Sequence, residues 1–292
     1  MKHKKKILLL GGNSYIAKEF LKIYSADFEF IAIKRDNSFS NYFDLTEDDF
    51  KDIDTVINFT AIVHQKDIES KIYFDVNFDL AIFLAETAKK TKVKQFIQLS
   101  TIAVYGDEVS YIDSKTKENP STAYGKSKLK ADKYLLNLID ENFKVAIVRP
   151  PMVYGFNAPG NMKSLSKLIG THLPLPLKNF TNKRSFIYIE NLLNLIYLLV
   201  QKKSDGIFLV KDKEDVSIGE LSLLIKNKRK SKSILFPFPL WLLNKFITKS
   251  GLLRKLYGNL VINDSLTEKK LGRYAMIDFK DGISNMLIKE KK

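Results

Sequence analysis

The sequence predicts an α/β fold of the Rossmann type: a doubly wound parallel sheet with a smaller C-terminal substrate-binding lobe. Three observations carry that expectation. Short, nearly all-apolar runs alternate with helical patterns through the first half of the 292 residues, which is how a parallel sheet with helices on both faces reads. The first run, at 6–10, stops at Gly11-Gly12 and leads straight into a helical pattern. After Pro150-Pro151 the alternation gives way to shorter elements separated by Pro, Gly and Asn.

Taken in order, the run at 6–10 suits a strand buried on both faces. Ile16, Phe20, Leu21 and Tyr24 repeat at helical spacing, so a helix is expected over 14–24. Strands are expected at 28–33, at 41–45 (a short third strand), at 55–60 and at 95–100, with a long helix over 67–90. A further helix is expected over 122–139 and a strand over 144–149, ended by the two prolines. Beyond them a strand at 186–189 and helices at 191–200 and 217–225 are expected. The lobes divide as 1–150 for the cofactor and 151–292 for the substrate. That boundary is approximate, since such chains cross between lobes more than once.

Composition narrows the function classes. Nearly half the residues are apolar, enough for a sizeable core. Without cysteine there is no disulfide, thiolate metal site or cysteine nucleophile. No histidine–carboxylate spacing suggests a metal site, and His64 is read as a loop residue. The apolar run after the basic leader is too short for a signal peptide, and no stretch approaches the roughly 20 apolar residues of a membrane span. A cytoplasmic protein with no transmembrane segment is therefore expected. The net charge of +15 comes with lysines spread along the chain and no nucleic-acid-binding motif. It is read as solvated faces with a field that favours an anionic nucleotide, and not as a nucleic-acid surface. The segment 234–247 (ILFPFPLWLLNKFI) is read as core packing of the second lobe, because its prolines break a continuous amphipathic helix.

Three motifs carry chemistry. The turn Gly11-Gly12-Asn13-Ser14-Tyr15-Ile16-Ala17 joins a buried strand to a helix N-terminus, the usual seat of a pyrophosphate. Only the first of three expected glycines is present, with small Ser14 and Ala17 at the others. Tyr124 and Lys128 stand four apart on a helix and so share a face. A lysine ammonium beside a phenol favours the phenolate and turns a poor base into a workable one. Thr101 follows the strand ending at Leu99-Ser100, at the sheet edge where ligands bind in open α/β folds. Its hydroxyl is placed to bond a substrate oxygen and share the proton of Tyr124.

In this order and spacing, these motifs resemble the extended short-chain dehydrogenase/reductase family of NAD-dependent epimerase/dehydratase type, and the resemblance covers most of the chain. It implies a catalytic trio of Thr101, Tyr124 and Lys128. It implies cofactor contacts from Gly11, Asn13, Ser14, Tyr15, Ile16, Arg35, Asp44, Leu45, Phe59, Thr60, Ala61, Asn77, Leu99 and Pro150, together with Tyr124 and Lys128. The segments RPPMVYG (149–155) and KRSFIYIE (183–190) resemble the family's sugar-nucleotide epimerases. Arg184 and Arg254 then fall where a substrate diphosphate is held, and Asn161 where the nucleotide is contacted. The cofactor is NAD, with NADP as the alternative, because Lys34-Arg35-Asp36 offers both signs of charge. The partner is a UDP-sugar, and a homodimer through helices 67–90 and 122–139 is implied.

The expected reaction is C4 epimerisation of a UDP-hexose or its N-acetyl form in surface polysaccharide synthesis. The alternatives are an NAD(P)H-dependent reductase of a UDP-4-keto-6-deoxy sugar and a non-catalytic nucleotide-binding protein. A dehydratase would want an acidic pair after the threonine, where Ile102 and Ala103 stand.

Overall fold

A computed structural model describes residues 4–34, 42–63, 69–171, 173–178, 180–237 and 258–288. In chain order the elements are β1 (Lys6–Leu10), α1 (Tyr15–Tyr24), β2 (Glu29–Ile33), β3 (Thr55–Asn58), α2 (Ser70–Phe74), α3 (Leu80–Lys90), β4 (Gln95–Leu99), β5 (Tyr111–Ile112), α4 (Ala123–Leu136), β6 (Lys144–Arg149) and β7 (Met152–Tyr154). Then come α5 (Asn161–Gly170), β8 (Leu175–Lys178), β9 (Phe186–Tyr188), α6 (Ile189–Lys202), β10 (Gly206–Leu209), α7 (Ile218–Arg229), β11 (Leu235–Pro237), β12 (Val261–Ile262), α8 (Ser265–Leu271) and α9 (Phe279–Ile288).

Six strands form one all-parallel sheet in the order β10-β6-β4-β3-β1-β2. Side chains of successive residues leave a strand on opposite faces, and the two cores follow that alternation. Ile7, Leu9, Ile57, Ile97, Ala146 and Val148 meet Phe20 of α1 and the apolar stripe of α6 on one face. Leu8, Leu10, Val56, Phe96, Val145 and Ile147 meet α3 and α4 on the other. All twelve are buried. This is why the strands read as continuous apolar runs rather than alternating ones. The run 192–200 likewise becomes the interior of α6, which buries Leu192, Leu195, Ile196 and Leu199 against the sheet.

The strand expected at 41–45 does not form. Residue 41 lies outside the described residues, and 42–45 make a tight turn. The competing interaction is visible: Tyr42 is fully buried and its hydroxyl accepts from the Gly11 N–H at 3.0 Å, so the segment turns inward instead of adding an edge strand. The sixth strand is β10, far along the chain and missed in the sequence. The chain thus returns to the first lobe's sheet after residue 150, and β5 and β12, separated by about half the chain, also pair with each other. The long helix expected over 67–90 is three consecutive pieces, α2, a π-helical turn at Asp75–Asp79 and α3. Residues 67 and 68 lie outside the described residues.

Of the segment read as core packing, only 234–237 is described. It forms the short strand β11 beside β8, and Ile234 and Phe236 are exposed, not buried. Among the described residues no element covers these two side chains, so the apolar composition did not secure their burial.

Candidate active site

The site gathers where β1, β3 and β4 end. Gly11 has φ +78°, and a Cβ there would come within 2.9 Å of the Phe59 carbonyl carbon, so the turn lies directly on the end of β3. Asn58 fixes that end. Its carboxamide donates to Gln98 at 2.8 Å and accepts from the Thr60 N–H at 2.9 Å. Ser14 caps α1 by accepting from the Ala17 N–H at 3.3 Å. The N–H groups of Tyr15 and Ile16 open the ten-residue helix and have no intrahelical acceptor. The Tyr15 hydroxyl is itself buried without a hydrogen-bond partner, and burial pushes its titration well up.

Thr101 begins a short 3-10 turn at Ile102–Tyr105, accepting from the Ala103 N–H at 3.1 Å. Helix α4 packs hard against this turn. A Cβ at Gly125 would lie 2.7 Å from the Ala103 carbonyl oxygen, so only glycine allows the approach. That contact brings the Tyr124 phenol beside the Thr101 hydroxyl, which favours its anion. Asn77, in the π-helical turn, donates to Ser127 of α4 at 3.1 Å and exchanges bonds with the Ile62 backbone at 3.0 and 3.1 Å. A single-turn π distortion at a site is a common way to aim one side chain.

Lys128 is fully buried and its ammonium has no hydrogen-bond partner. Burial lowers its pKa to about 8, against the opposing charge of Asp132. Burial also pushes Tyr124 up to about 12, with the neighbouring Thr101 hydroxyl working against the shift and the Asp132 charge adding to it. Desolvation, rather than the lysine neighbour, therefore dominates the phenol. Asp132, one turn beyond Lys128, is fully buried too. It accepts from Ser100 Oγ at 2.7 Å and Arg149 Nε at 3.0 Å, while its second oxygen is unpartnered. Arg149 goes on to Tyr105 at 2.7 Å and Glu118 at 3.1 Å.

Sequence reasoning singled out Thr101, Tyr124 and Lys128 but not Asp132, Ser100 or Tyr42. Asp132 sits among Lys126, Lys128, Lys130 and Lys133 and read as part of a solvated helix face. The available signal was its spacing, four from Lys128 and eight from Tyr124, which puts all three on one side of α4.

Among the expected cofactor residues, Phe59, Thr60, Asn77, Leu99 and Pro150 lie at or beside the strand ends, with Phe59, Thr60, Asn77 and Pro150 buried. Ala61 is half-buried and Asn13 exposed. Asp44 is exposed and Leu45 half-buried in the turn after Tyr42. Arg35, His64 and Arg254 lie outside the described residues. Asn161 opens α5. Arg184 is half-buried, donates to the Gly258 carbonyl at 2.7 Å, and has its pKa lowered to about 10 by burial. No carboxylate among the described residues pairs with it, so it is a desolvated cation suited to an anion. No described contact links Arg184 to the trio.

A dinucleotide fits these residues. Lys128 is an orphaned buried donor beside Tyr124, and the open first turn of α1 faces the glycine turn. The chain matches the NAD dependent epimerase/dehydratase family over residues 7–219 and belongs to it. The UDP-glucose 4-epimerase of Vibrio cholerae is 31% identical over 298 residues, covering 92% of this chain and 90% of that protein. An N-acetyl-alpha-D-glucosaminyl-diphospho-ditrans,octacis-undecaprenol 4-epimerase of Escherichia coli O157:H7 is 26% identical over 283 residues, covering 90% and 84%. In fold, the chain is similar to the Bordetella bronchiseptica enzyme WbmG, solved with NAD (TM-score 0.79, 19% identity, 98% of this chain and 94% of that one). It is equally similar to a UDP-glucuronic acid 4-epimerase from Bacillus cereus (TM-score 0.79, 17% identity, 98% and 100%).

Proposed function

We propose that the chain is an NAD-dependent C4 epimerase of a UDP-linked hexose or N-acetylhexosamine in surface polysaccharide synthesis. The observation that carries this reading is the juxtaposition of Thr101 and Tyr124 with the buried, unpartnered ammonium of Lys128 one helical turn away. When bound, NAD supplies a reversible hydride acceptor. Gly11 and the first-turn N–H groups of Tyr15 and Ile16 are the groups to hold its pyrophosphate, and Lys128 its nicotinamide ribose.

Tyr124 takes the proton of the sugar 4-hydroxyl and later returns it, with the neighbouring Thr101 hydroxyl placed to bond the same sugar oxygen. A phenol held at about 12 is a weak base at neutral pH. The Thr101 hydroxyl works toward its anion, and the positive charge of a bound oxidised nicotinamide would favour the anion further. Arg184 holds the diphosphate. The two curated relatives above are named for different substrates, yet both names place the hexose on a diphosphate. A desolvated guanidinium without a carboxylate suits that shared group.

The same reading has the protein working in the cytoplasm as a homodimer through α4 and the helical stretch 70–90, where Ile72 and Tyr134 are exposed. Sedimentation velocity tests the pairing. The reaction is tested by denaturing the purified protein and identifying the released nucleotide, alongside an assay for interconversion of UDP-glucose with UDP-galactose and of their N-acetyl forms. Retained NAD with turnover supports the epimerase. A site that takes NADPH and consumes it once per turnover supports the 4-keto reductase instead. Failure to bind either cofactor refutes both.

A further inference from the structure

The charge of the chain is segregated in a way that its evenly spread lysines hide. None of the 33 Asp and Glu residues lies in 142–189 or in 221–263, while those two segments hold 16 of the 48 Lys and Arg. The rest of the chain carries 32 basic and 33 acidic residues and is balanced, so the whole net charge of +15 resides in the two acid-free segments.

The fold brings parts of these segments together. Helix α5 packs against α7, and β8 pairs with β11. Ser231 and Ser233 both donate to the Ile169 carbonyl at 2.5 Å, and Arg229 donates to Ser166 at 2.9 Å. At the start of α7, Glu220 is exposed but engaged in the helix cap, and Asp215 is half-buried. Glu220 accepts from the Ser217 N–H at 2.7 Å, and Asp215 takes Ser185 at 2.5 Å and Lys211 at 2.6 Å. Lys167 and Lys228 are exposed and have no carboxylate partner among the described residues. On the same unit Leu168, Leu173, Leu223, Ile234 and Phe236 are 40–63% exposed.

We propose that the α5–α7–β11 unit is a docking surface for an anionic phospholipid bilayer. Exposed aliphatic side chains interspersed with unpaired lysines are what a charged lipid interface rewards, the apolar groups entering the acyl boundary and the ammonium groups meeting the phosphates. A nucleic acid would use the cations but would gain nothing from five exposed apolar residues on the same unit. This inference does not rest on the reaction assigned above.

The test is flotation of the full chain with phosphatidylcholine vesicles, with and without phosphatidylglycerol. The expected result is binding only where phosphatidylglycerol is present, reversed by added salt. Each lysine lost should weaken partitioning about fivefold, so K167Q/K228Q should lower it roughly 30-fold. Ile234→Ser with Phe236→Ser should weaken it as well, with cofactor binding and the circular dichroism melt of each variant unchanged. Absence of vesicle binding by the wild type overturns the proposal, as does undiminished binding by K167Q/K228Q. Retention on nucleic acid in place of vesicles overturns it too. So does an apolar-face variant that changes only the oligomeric state or only the melting temperature, because another copy or the chain itself then covers the face.

Discussion

Lys128 and Arg149 stand on either side of one carboxylate, Asp132, and both are sealed from solvent, at 0% and 1% exposed. Their surroundings differ. Arg149 gives its donors to Asp132, Tyr105 and Glu118, and these partners raise its pKa in spite of burial. Lys128 gives none, and burial drags it down. Leaving a buried cation without hydrogen bonds costs free energy, which is what supports the proposal that Lys128 is held for the cofactor. Arg149 is the fixed part of this pair, holding Asp132 and through it Ser100 at the strand end. Lys128 is the part that waits.

The largest effect expected is on turnover. Tyr124→Phe removes the phenol beside Thr101, and should lower the epimerisation rate roughly 10²–10⁴-fold, the range of general acid–base catalysis. Nucleotide-sugar affinity should be nearly unchanged, and isothermal titration beside the rate assay checks both. Arg149→Met should leave turnover unmeasurable for a different reason: it strands the buried Asp132 charge. Urea denaturation should show a loss of about 3–5 kcal/mol.

Arg184→Ala comes next. An interaction made equally in ground and transition states raises KM and spares kcat, so the account expects roughly a tenfold to hundredfold rise in KM for a UDP-hexose. A fall confined to kcat would take Arg184 off the diphosphate.

The smallest effect is a pH dependence. Below about pH 8 Lys128 is charged in both the folded and unfolded chain, and folding carries its full desolvation cost. Between about 8 and the ordinary lysine value of 10.5 the folded chain has released this proton and the unfolded chain has not. The unfolded state then binds more protons, so the residue's contribution to stability improves as pH rises through that window. Wild type should therefore gain on Lys128→Met from pH 8 to 10.5 in denaturant titrations, and parallel curves would mean that Lys128 is not desolvated.

The same contrast explains what the sequence disclosed. Buried strands such as β1 and β6 are legible because both faces must be apolar, and the run length alone marks them. Tyr124 and Lys128 are legible because catalytic chemistry needs a fixed spacing on one helix. Asp132 is not, because a carboxylate among lysines has the composition of a solvated face, and its burial comes from Arg149, supplied by a strand outside its own helix. Tyr42 and β10 escaped for a related reason. Tyr42 is decided by its hydroxyl's bonds to the Gly11 and Ile33 backbone, and β10 by a vacancy beside β6 that no local pattern records. Of the three glycines expected in the first turn, the one retained, Gly11, is at the position whose backbone requires glycine.

Thermal melts of wild type, Lys128→Met and Arg149→Met, each with and without NAD, test the distinction between the two cations most directly. Without NAD, Lys128→Met should melt at or above the wild type and Arg149→Met well below it. Added NAD should raise the wild-type melting temperature and leave that of Lys128→Met nearly unmoved. If Lys128→Met instead loses as much stability as Arg149→Met before any NAD is added, Lys128 is part of the scaffold, and the account of it as the cofactor's waiting partner is wrong.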